Sequence, residues 1–246
     1  MGDIFKYSAA AELIRSLADN MDRQGFACLA NCLSDDDLKQ LRSLVCGAGL
    51  DPTGKYAVLQ DKKTFGETAL AKIPASTEFQ LLCRELLRLS ESGAATERDF
   101  YQVVRCLNGE VGRKNSYFFH YDIYVLTVLI PIIIPQVGDR GDLVLFPNVR
   151  AVRRSYLRNL FDKFLVDNRF SQWALTLIAR RRICGAVAVP MLPGNIYFFW
   201  GYRTIHANEP CDPNQIRATA LLHFGDPYRG SRARSVLRRV RGLAAA

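Results

Sequence analysis

An α+β fold, mainly β, follows from three features of this 246-residue chain. Helix-period patterns are confined to residues 1–98 and to one later segment; short runs rich in Val, Ile, Phe and Tyr follow from Asp99 onward; and Gly, Pro and Asn separate those runs. Helices followed by many short strands predict an antiparallel sandwich or open barrel with helices packed outside. A composition of 49% apolar and 23% charged residues excludes disorder, collagen and coiled coil. The length suits one generous domain: a mainly helical part over 1–98, a strand core over 99–226 with a basic helical insertion at 150–182, and a basic tail over 227–246.

The elements are read in chain order. Ala9 to Met21 is amphipathic, Gly25-Phe-Ala-Cys-Leu-Ala is a short strand, and Ser34-Asp-Asp-Asp opens a second helix with Ser34 as N-cap. Thr77 to Leu89 is another helix, with Thr77 and Gln80 at capping-box spacing. Strands are expected at Tyr101–Leu107, Ser116–Tyr124, Val125–Ile134, Asp142–Phe146, Ala186–Met191, Asn195–Trp200 and Ile216–Phe224. The run from Val125 is too short to cross a membrane and carries Pro131 and Pro135, so it reads as a buried strand. Between them, residues 155–182 form a helical pair broken near Asn168. Leu157, Leu160, Phe161, Phe164 and Leu165 repeat at helical spacing opposite Arg158, Asp162 and Lys163, and Phe170, Trp173, Ala174, Leu177 and Ile178 continue the rhythm.

The net charge of +9 is local. Residues 150–182 hold nine Arg and Lys against Asp162 and Asp167, and 228–246 hold six Arg and no acid, which leaves a slightly acidic body. Two readings suit the insertion: a basic amphipathic surface that lies on an anionic membrane, or a solvated charged face on helices packed against their own domain. Seven cysteines with no CxxC pair suggest neither a disulfide framework nor a zinc knuckle. With a start that lacks a secretory pattern, they predict a reducing, cytoplasmic setting, peripheral at the inner membrane surface if the basic segments dock there.

The three histidines, His120, His206 and His223, carry the chemistry. His120 and Asp122 are one residue apart in a strand pattern, which puts both side chains on one face. With His206 they make two imidazoles and a carboxylate, the facial triad of non-haem Fe(II), which leaves three adjacent positions open for a chelating cosubstrate and O2. Arg217, on the following strand with Thr219 on its face, suits bidentate pairing with the distal carboxylate of 2-oxoglutarate; the plainer reading is a structural salt bridge and a satisfied core hydroxyl. His223 fits a core or supporting histidine. Arg105 and Gln102 either line the pocket or bridge to carboxylates outside it.

Taken together, Ser116-Tyr-Phe-Phe-His-Tyr-Asp, Thr127-Val-Leu-Ile-Pro, Gly141-Asp-Leu-Val-Leu-Phe-Pro, Pro193-Gly-Asn-Ile-Tyr-Phe-Phe, His206-Ala-Asn and Ile216-Arg-Ala-Thr resemble the Fe(II)/2-oxoglutarate dioxygenases, nearest their phytanoyl-CoA hydroxylase-like branch. Gly25-Phe-Ala-Cys-Leu and Leu33-Ser-Asp-Asp-Asp-Leu resemble that family's helical entry, so the likeness spans about residues 20–226. The resemblance implies one oxygenase domain, a jelly-roll or cupin-like double-stranded β-helix. It implies His120, Asp122 and His206 as catalytic iron ligands, Arg217 as the cosubstrate anchor, and Thr219 and Thr127 as pocket residues. Where relatives continue into Pro-Gly-Ser-His, this chain has Pro147-Asn-Val-Arg and the basic insertion, so substrate contacts do not carry over.

The resemblance implies a hydroxylase of an unactivated C–H bond, since related halogenases replace the carboxylate that Asp122 supplies. The basic segments direct it toward an anionic substrate, membrane-presented or lipid-linked, such as the lipopolysaccharide sugar Kdo. The alternative is a soluble small molecule of natural-product or amino-acid metabolism. Nucleic-acid dealkylation is disfavoured, because relatives with that activity carry a second arginine where His223 stands. A non-catalytic binding domain is disfavoured by the complete triad.

Overall fold

The computed structural model describes residues 11–47, 57–60, 62–90, 99–107, 113–153 and 155–234. The tail expected to be basic lies outside them from residue 235 onward. Helices α1 (Ala11–Arg23), α2 (Asp35–Gly47), α3 (Ala69–Ala75) and α4 (Thr77–Leu89) precede most of the sheet, and α5 (Tyr156–Asp167) and α6 (Arg169–Arg181) form the insertion. The strands are β1 (Ala27–Leu29), β2 (Ala57–Leu59), β3 (Tyr101–Leu107), β4 (Leu126–Ile133), β5 (Leu143–Phe146), β6 (Val187–Val189), β7 (Ile196–Phe199), β8 (Ile205–Asn208) and β9 (Arg217–Phe224). They make a six-stranded sheet of order β1-β7-β4-β9-β3-β2 and a three-stranded sheet of order β6-β5-β8. Every pairing is antiparallel.

The larger sheet separates two kinds of interior. On β9, Ala218, Ala220, Leu222 and Phe224 join the helix-side core, where α1 contributes Leu17 and Met21 and α4 contributes Phe79 and Leu86. The alternate residues Arg217, Thr219, Leu221 and His223 point the other way, toward the smaller sheet, and all are buried. A second apolar cluster, including Leu129, Leu145, Tyr197 and Leu221, fills part of the space between the sheets. Pro131 is tolerated in the central strand β4 because β7 has already ended there and the register with β9 shifts just beyond it.

Helix starts follow local chemistry. Ser34 Oγ accepts from the Asp37 amide at 3.2 Å while Asp37 Oδ2 accepts from the Ser34 amide at 3.1 Å, so each end of the first turn caps the other. On α4 the cap is Ser76, whose Oγ accepts from the Phe79 amide at 3.2 Å, and not Thr77; Gln80 turns back to the Pro74 carbonyl. Asn168 ends α5 and caps α6 through the Ser171 amide, as the predicted break requires.

One expectation needs correction. Ser116–Tyr124 is not a strand: it makes a turn with Tyr117 at φ 50° and meets β8 at two points, where the Tyr117 amide donates to the Asn208 carbonyl and where His120 bridges His206. The reason is competition for the backbone, since Gln172 of α6 accepts from the Phe119 amide at 2.8 Å and donates to its carbonyl at 2.7 Å. The mainly helical region over 1–98 holds the expected strand near Gly25, seen as β1 paired with β7, and a second strand that the sequence reading lacked, β2 paired with β3. The short strands β2 and β8 and the helix α3 carry patterns too brief to read from sequence.

Candidate active site

His120, Asp122 and His206 come together with donor atoms all within 4.8 Å of one another. Backbone bonds set this meeting. The His120 amide donates to the His206 carbonyl at 3.1 Å, the His206 amide returns the bond at 3.0 Å, and the Asp122 amide donates to the Gly201 carbonyl at 3.0 Å. His206 Nε2 stands 3.5 Å from Asp122 Oδ2, and His120 Nε2 stands 3.9 Å from Oδ1.

Each imidazole is oriented from behind. His120 Nδ1 lies 3.0 Å from the Phe118 carbonyl and His206 Nδ1 lies 3.1 Å from the Thr204 carbonyl. A carbonyl only accepts, so each Nδ1 carries the proton and leaves the Nε2 lone pair aimed at the carboxylate. Thr127, fully buried, donates from Oγ1 to Asp122 Oδ2. His223 Nδ1 lies 3.2 Å from Thr127 Oγ1 and 3.6 Å from Asp122 Oδ2, with its ring stacked on Tyr124. Thr127 and His223 thus stand behind the carboxylate and support it. A Cβ at Gly201 would run into Thr127 Oγ1 and Asp122 Oδ2, so the turn after β7 has room for nothing larger.

The protonation states suit a divalent cation. Burial and then the neighbouring His206 push the His120 imidazole down to about 4, and burial likewise holds His206 and His223 below the ordinary histidine value. Burial opposes ionisation of Asp122, but the His206, His223 and His120 imidazoles and the Thr127 hydroxyl outweigh it and hold the carboxyl well below its usual range. Two neutral imidazoles and one carboxylate are an N2O donor set matched to Fe(II).

The two triad histidines border a cavity of about 270 Å³ between the sheets, lined among others by Arg105, His120, Phe199, His206, Arg217 and Thr219. Arg217 is almost wholly buried and donates from Nη2 to Asn208 Oδ1 at 2.9 Å; among the described residues no carboxylate pairs with it. Burial lowers its guanidinium to about 10, still charged at neutral pH. Its Nε and Thr219 Oγ1 are buried polar atoms with no hydrogen-bond partner. Such groups are costly unless something accepts from them, and a ligand carboxylate meets that need. Gly141, at φ 71°, passes so close that a Cβ would sit 2.6 Å from Arg217 Cδ.

Of the positions expected from sequence, His120, Asp122 and His206 lie together, and Arg217 and Thr219 line the cavity beside the two histidines. Thr127 lies behind Asp122 and outside the cavity lining. Arg105 lines the cavity, opposite Thr219 in the β3–β9 register, whereas Gln102 faces the other way and donates to the Leu70 carbonyl. Asn208, present in the His206-Ala-Asn motif but given no role there, lies two residues after His206 on one strand and accepts from Arg217.

No family model and no curated protein matches this sequence. Solved structures do match in fold. A Pseudomonas putida prolyl-4-hydroxylase is 14% identical, with a TM-score of 0.52 over 86% of this chain and 98% of that one. HygX from Streptomyces hygroscopicus, solved with nickel and 2-oxoglutarate bound, is 11% identical with a TM-score of 0.55 over 86% of each chain. EctD from S. alaskensis, solved with 2-oxoglutarate and 5-hydroxyectoine, is 16% identical with a TM-score of 0.55 over 92% of this chain and 78% of that one. The fold is therefore the double-stranded β-helix of the 2-oxoglutarate dioxygenases, and it carries a His-x-Asp…His triad.

Proposed function

We propose that this chain is an Fe(II)- and 2-oxoglutarate-dependent oxygenase that hydroxylates an unactivated C–H bond of a small molecule carrying an anionic group. The observation that carries the reading is a complete N2O donor set whose two histidines line the same cavity as a buried arginine that, among the described residues, pairs with no carboxylate. His120, Asp122 and His206 would hold the metal. Arg217 Nε and Thr219 Oγ1 would take the distal carboxylate of the cosubstrate, the two buried groups now without partners. Bound iron with 2-oxoglutarate and O2 supplies the oxidising power, which turns the cosubstrate into succinate and CO2. The protein's own work is placement and exclusion of water. Reciprocal backbone bonds fix the two histidines, Thr127 fixes the carboxylate, and the apolar walls Leu129, Phe199 and Leu221 keep the cavity dry.

The anionic character of the substrate rests on Arg105. Its side chain lines the cavity, and among the described residues no hydrogen bond or ion pair occupies it. With Arg217 assigned to the cosubstrate, Arg105 remains as a second cation for a carboxylate or phosphate of the substrate. A soluble carboxylated metabolite fits that description, and so does a lipopolysaccharide sugar such as Kdo. The motifs that carry the phytanoyl-CoA hydroxylase-like resemblance support the same branch of oxygenase.

The test is a screen for succinate formation by the Fe(II)-loaded protein that is stimulated by candidate compounds, with mass detection of a product heavier by one oxygen atom. Anionic compounds should be active and their neutral esters or amides inactive. Failure to bind a divalent metal at one equivalent, or hydroxylation retained in Asp122→Ala, overturns the assignment.

A further inference from the structure

The helical insertion is folded inside out. On α5, Asn159 and Asp162 face the body of the protein: Arg150 donates to Asn159 Oδ1 at 3.0 Å and to Asp162 Oδ2 at 3.1 Å, and Arg153 donates to Asp162 Oδ2 at 2.7 Å. Arg150 itself is buried between the rings of Tyr121 and Tyr202. Much of the apolar stripe that periodicity assigns to the core therefore faces outward, while Val166 of α5 and Leu175, Ile178 and Ala179 of α6 pack inward. Phe161 is 61% exposed, Phe164 70%, Phe170 75% and Trp173 62%, and Leu157 and Leu165 are exposed beside them. Soluble monomers rarely leave so continuous an apolar surface in water.

The charge around this surface identifies its partner. Arg158, Arg169, Arg180 and Arg181 are exposed on the same two helices, with Asp167 the exposed acid between them. Two short helices with aromatics outward and arginines at the margin match an interfacial element, and no described helix is long and apolar enough to cross a membrane. A second copy of the chain would bring these arginines against themselves. We propose that the outer face of α5 and α6 seats on an anionic lipid surface, with Phe161, Phe164, Phe170 and Trp173 among the acyl chains and Arg158, Arg169 and Arg181 on headgroup phosphates. The same helices grip the cavity rim. Gln172 holds the Phe119 backbone, next to Phe118, which lines the cavity, and the Arg180 guanidinium lies 5.3 Å from the Tyr117 ring. The surface stands on its own geometry and does not depend on the oxygenase assignment.

The experiment is sedimentation of the full chain with vesicles of phosphatidylcholine alone and of phosphatidylcholine mixed equally with phosphatidylglycerol. The anionic vesicles should bind at least about tenfold more tightly, and added salt should weaken binding. Trp200 is buried, so a blue shift and loss of aqueous quenching on binding report Trp173. The double variants Phe164→Ser, Phe170→Ser and Arg158→Glu, Arg169→Glu should each lose binding by at least about tenfold while circular dichroism and unfolding temperature stay unchanged. Replacing Arg238, Arg239 and Arg241 with Ser should leave the Trp173 signal in place. Equal binding to both vesicles, no binding to either, or a loss confined to the tail variant overturns the proposal. So does a concentration-dependent dimer that alone buries Trp173.

Discussion

The barrel interior and the helical insertion both break the rule that apolar side chains go inside and polar ones outside, and they break it in opposite directions. Between the sheets, Asp122, His206, Arg217, Thr219 and His223 are buried. On the insertion, Phe161, Phe164, Phe170 and Trp173 are in water. The difference lies in what holds them. The triad residues of the barrel are fixed by named bonds: one reciprocal backbone pair between the histidines, a backbone bond from Asp122 to Gly201, two carbonyls behind the imidazoles, and a threonine behind the carboxylate. The exposed aromatics are fixed by nothing comparable, because α5 is tied down through its opposite face. A site that must place atoms for chemistry needs a rigid shell. A surface that meets a fluid partner needs only to be presented.

Substitutions at the two regions should separate accordingly. The largest effect is expected from Asp122→Ala, which removes the anionic member of the three-residue donor set. Affinity for Mn(II), measured by titration calorimetry, should fall by more than about 100-fold, and the rise in unfolding temperature that Mn(II) gives the unaltered protein should vanish. Next comes Arg217→Met. Loss of one partner of a buried charged pair costs about 2–5 kcal/mol, so the dissociation constant for 2-oxoglutarate should rise by about 30-fold or more with metal affinity kept. Equal loss of both ligands would mean that Arg217 holds up the site and does not bind the cosubstrate.

A smaller effect is expected at Thr127→Val, which keeps the shape and removes the hydroxyl behind Asp122. Metal affinity should drop by about 10- to 100-fold, and Thr127→Ser should restore most of it. Smallest of all is the response of the insertion: Phe164→Ser or Phe170→Ser should change unfolding free energy by no more than about 0.5 kcal/mol in denaturant titrations. A buried phenylalanine replaced this way would cost several times as much. A large loss at either position would show that the outer face packs against protein after all, and the contrast between the two regions would collapse.

Much of the site was legible because alternation is a rigid rule. In β9 a period of two puts Arg217, Thr219 and His223 on one face whatever the rest of the chain does. His120 and Asp122 also converge as their spacing suggests, yet by a different route, since the segment is a turn clamped by Gln172 and not a strand. That clamp joins residues 53 positions apart, and no local pattern announces it. Thr127 shows the same limit: its strand face was readable, but only the position of Asp122 decides that its hydroxyl points to the carboxylate and not into the cavity.

By itself, then, the sequence determined the types of the longer elements, the helix-side and cavity-side faces of the long strands, and the donor types available for a metal and a carboxylate. These depend on spacing within one segment. The tertiary structure decided which of two faces α5 turns inward. An amphipathic pattern defines two faces of a helix without saying which medium each meets. Here that choice was made by Arg150, held by the Tyr202 carbonyl at 2.7 Å and stacked between two tyrosines, which draws Asp162 and Asn159 inward and leaves the aromatics outside.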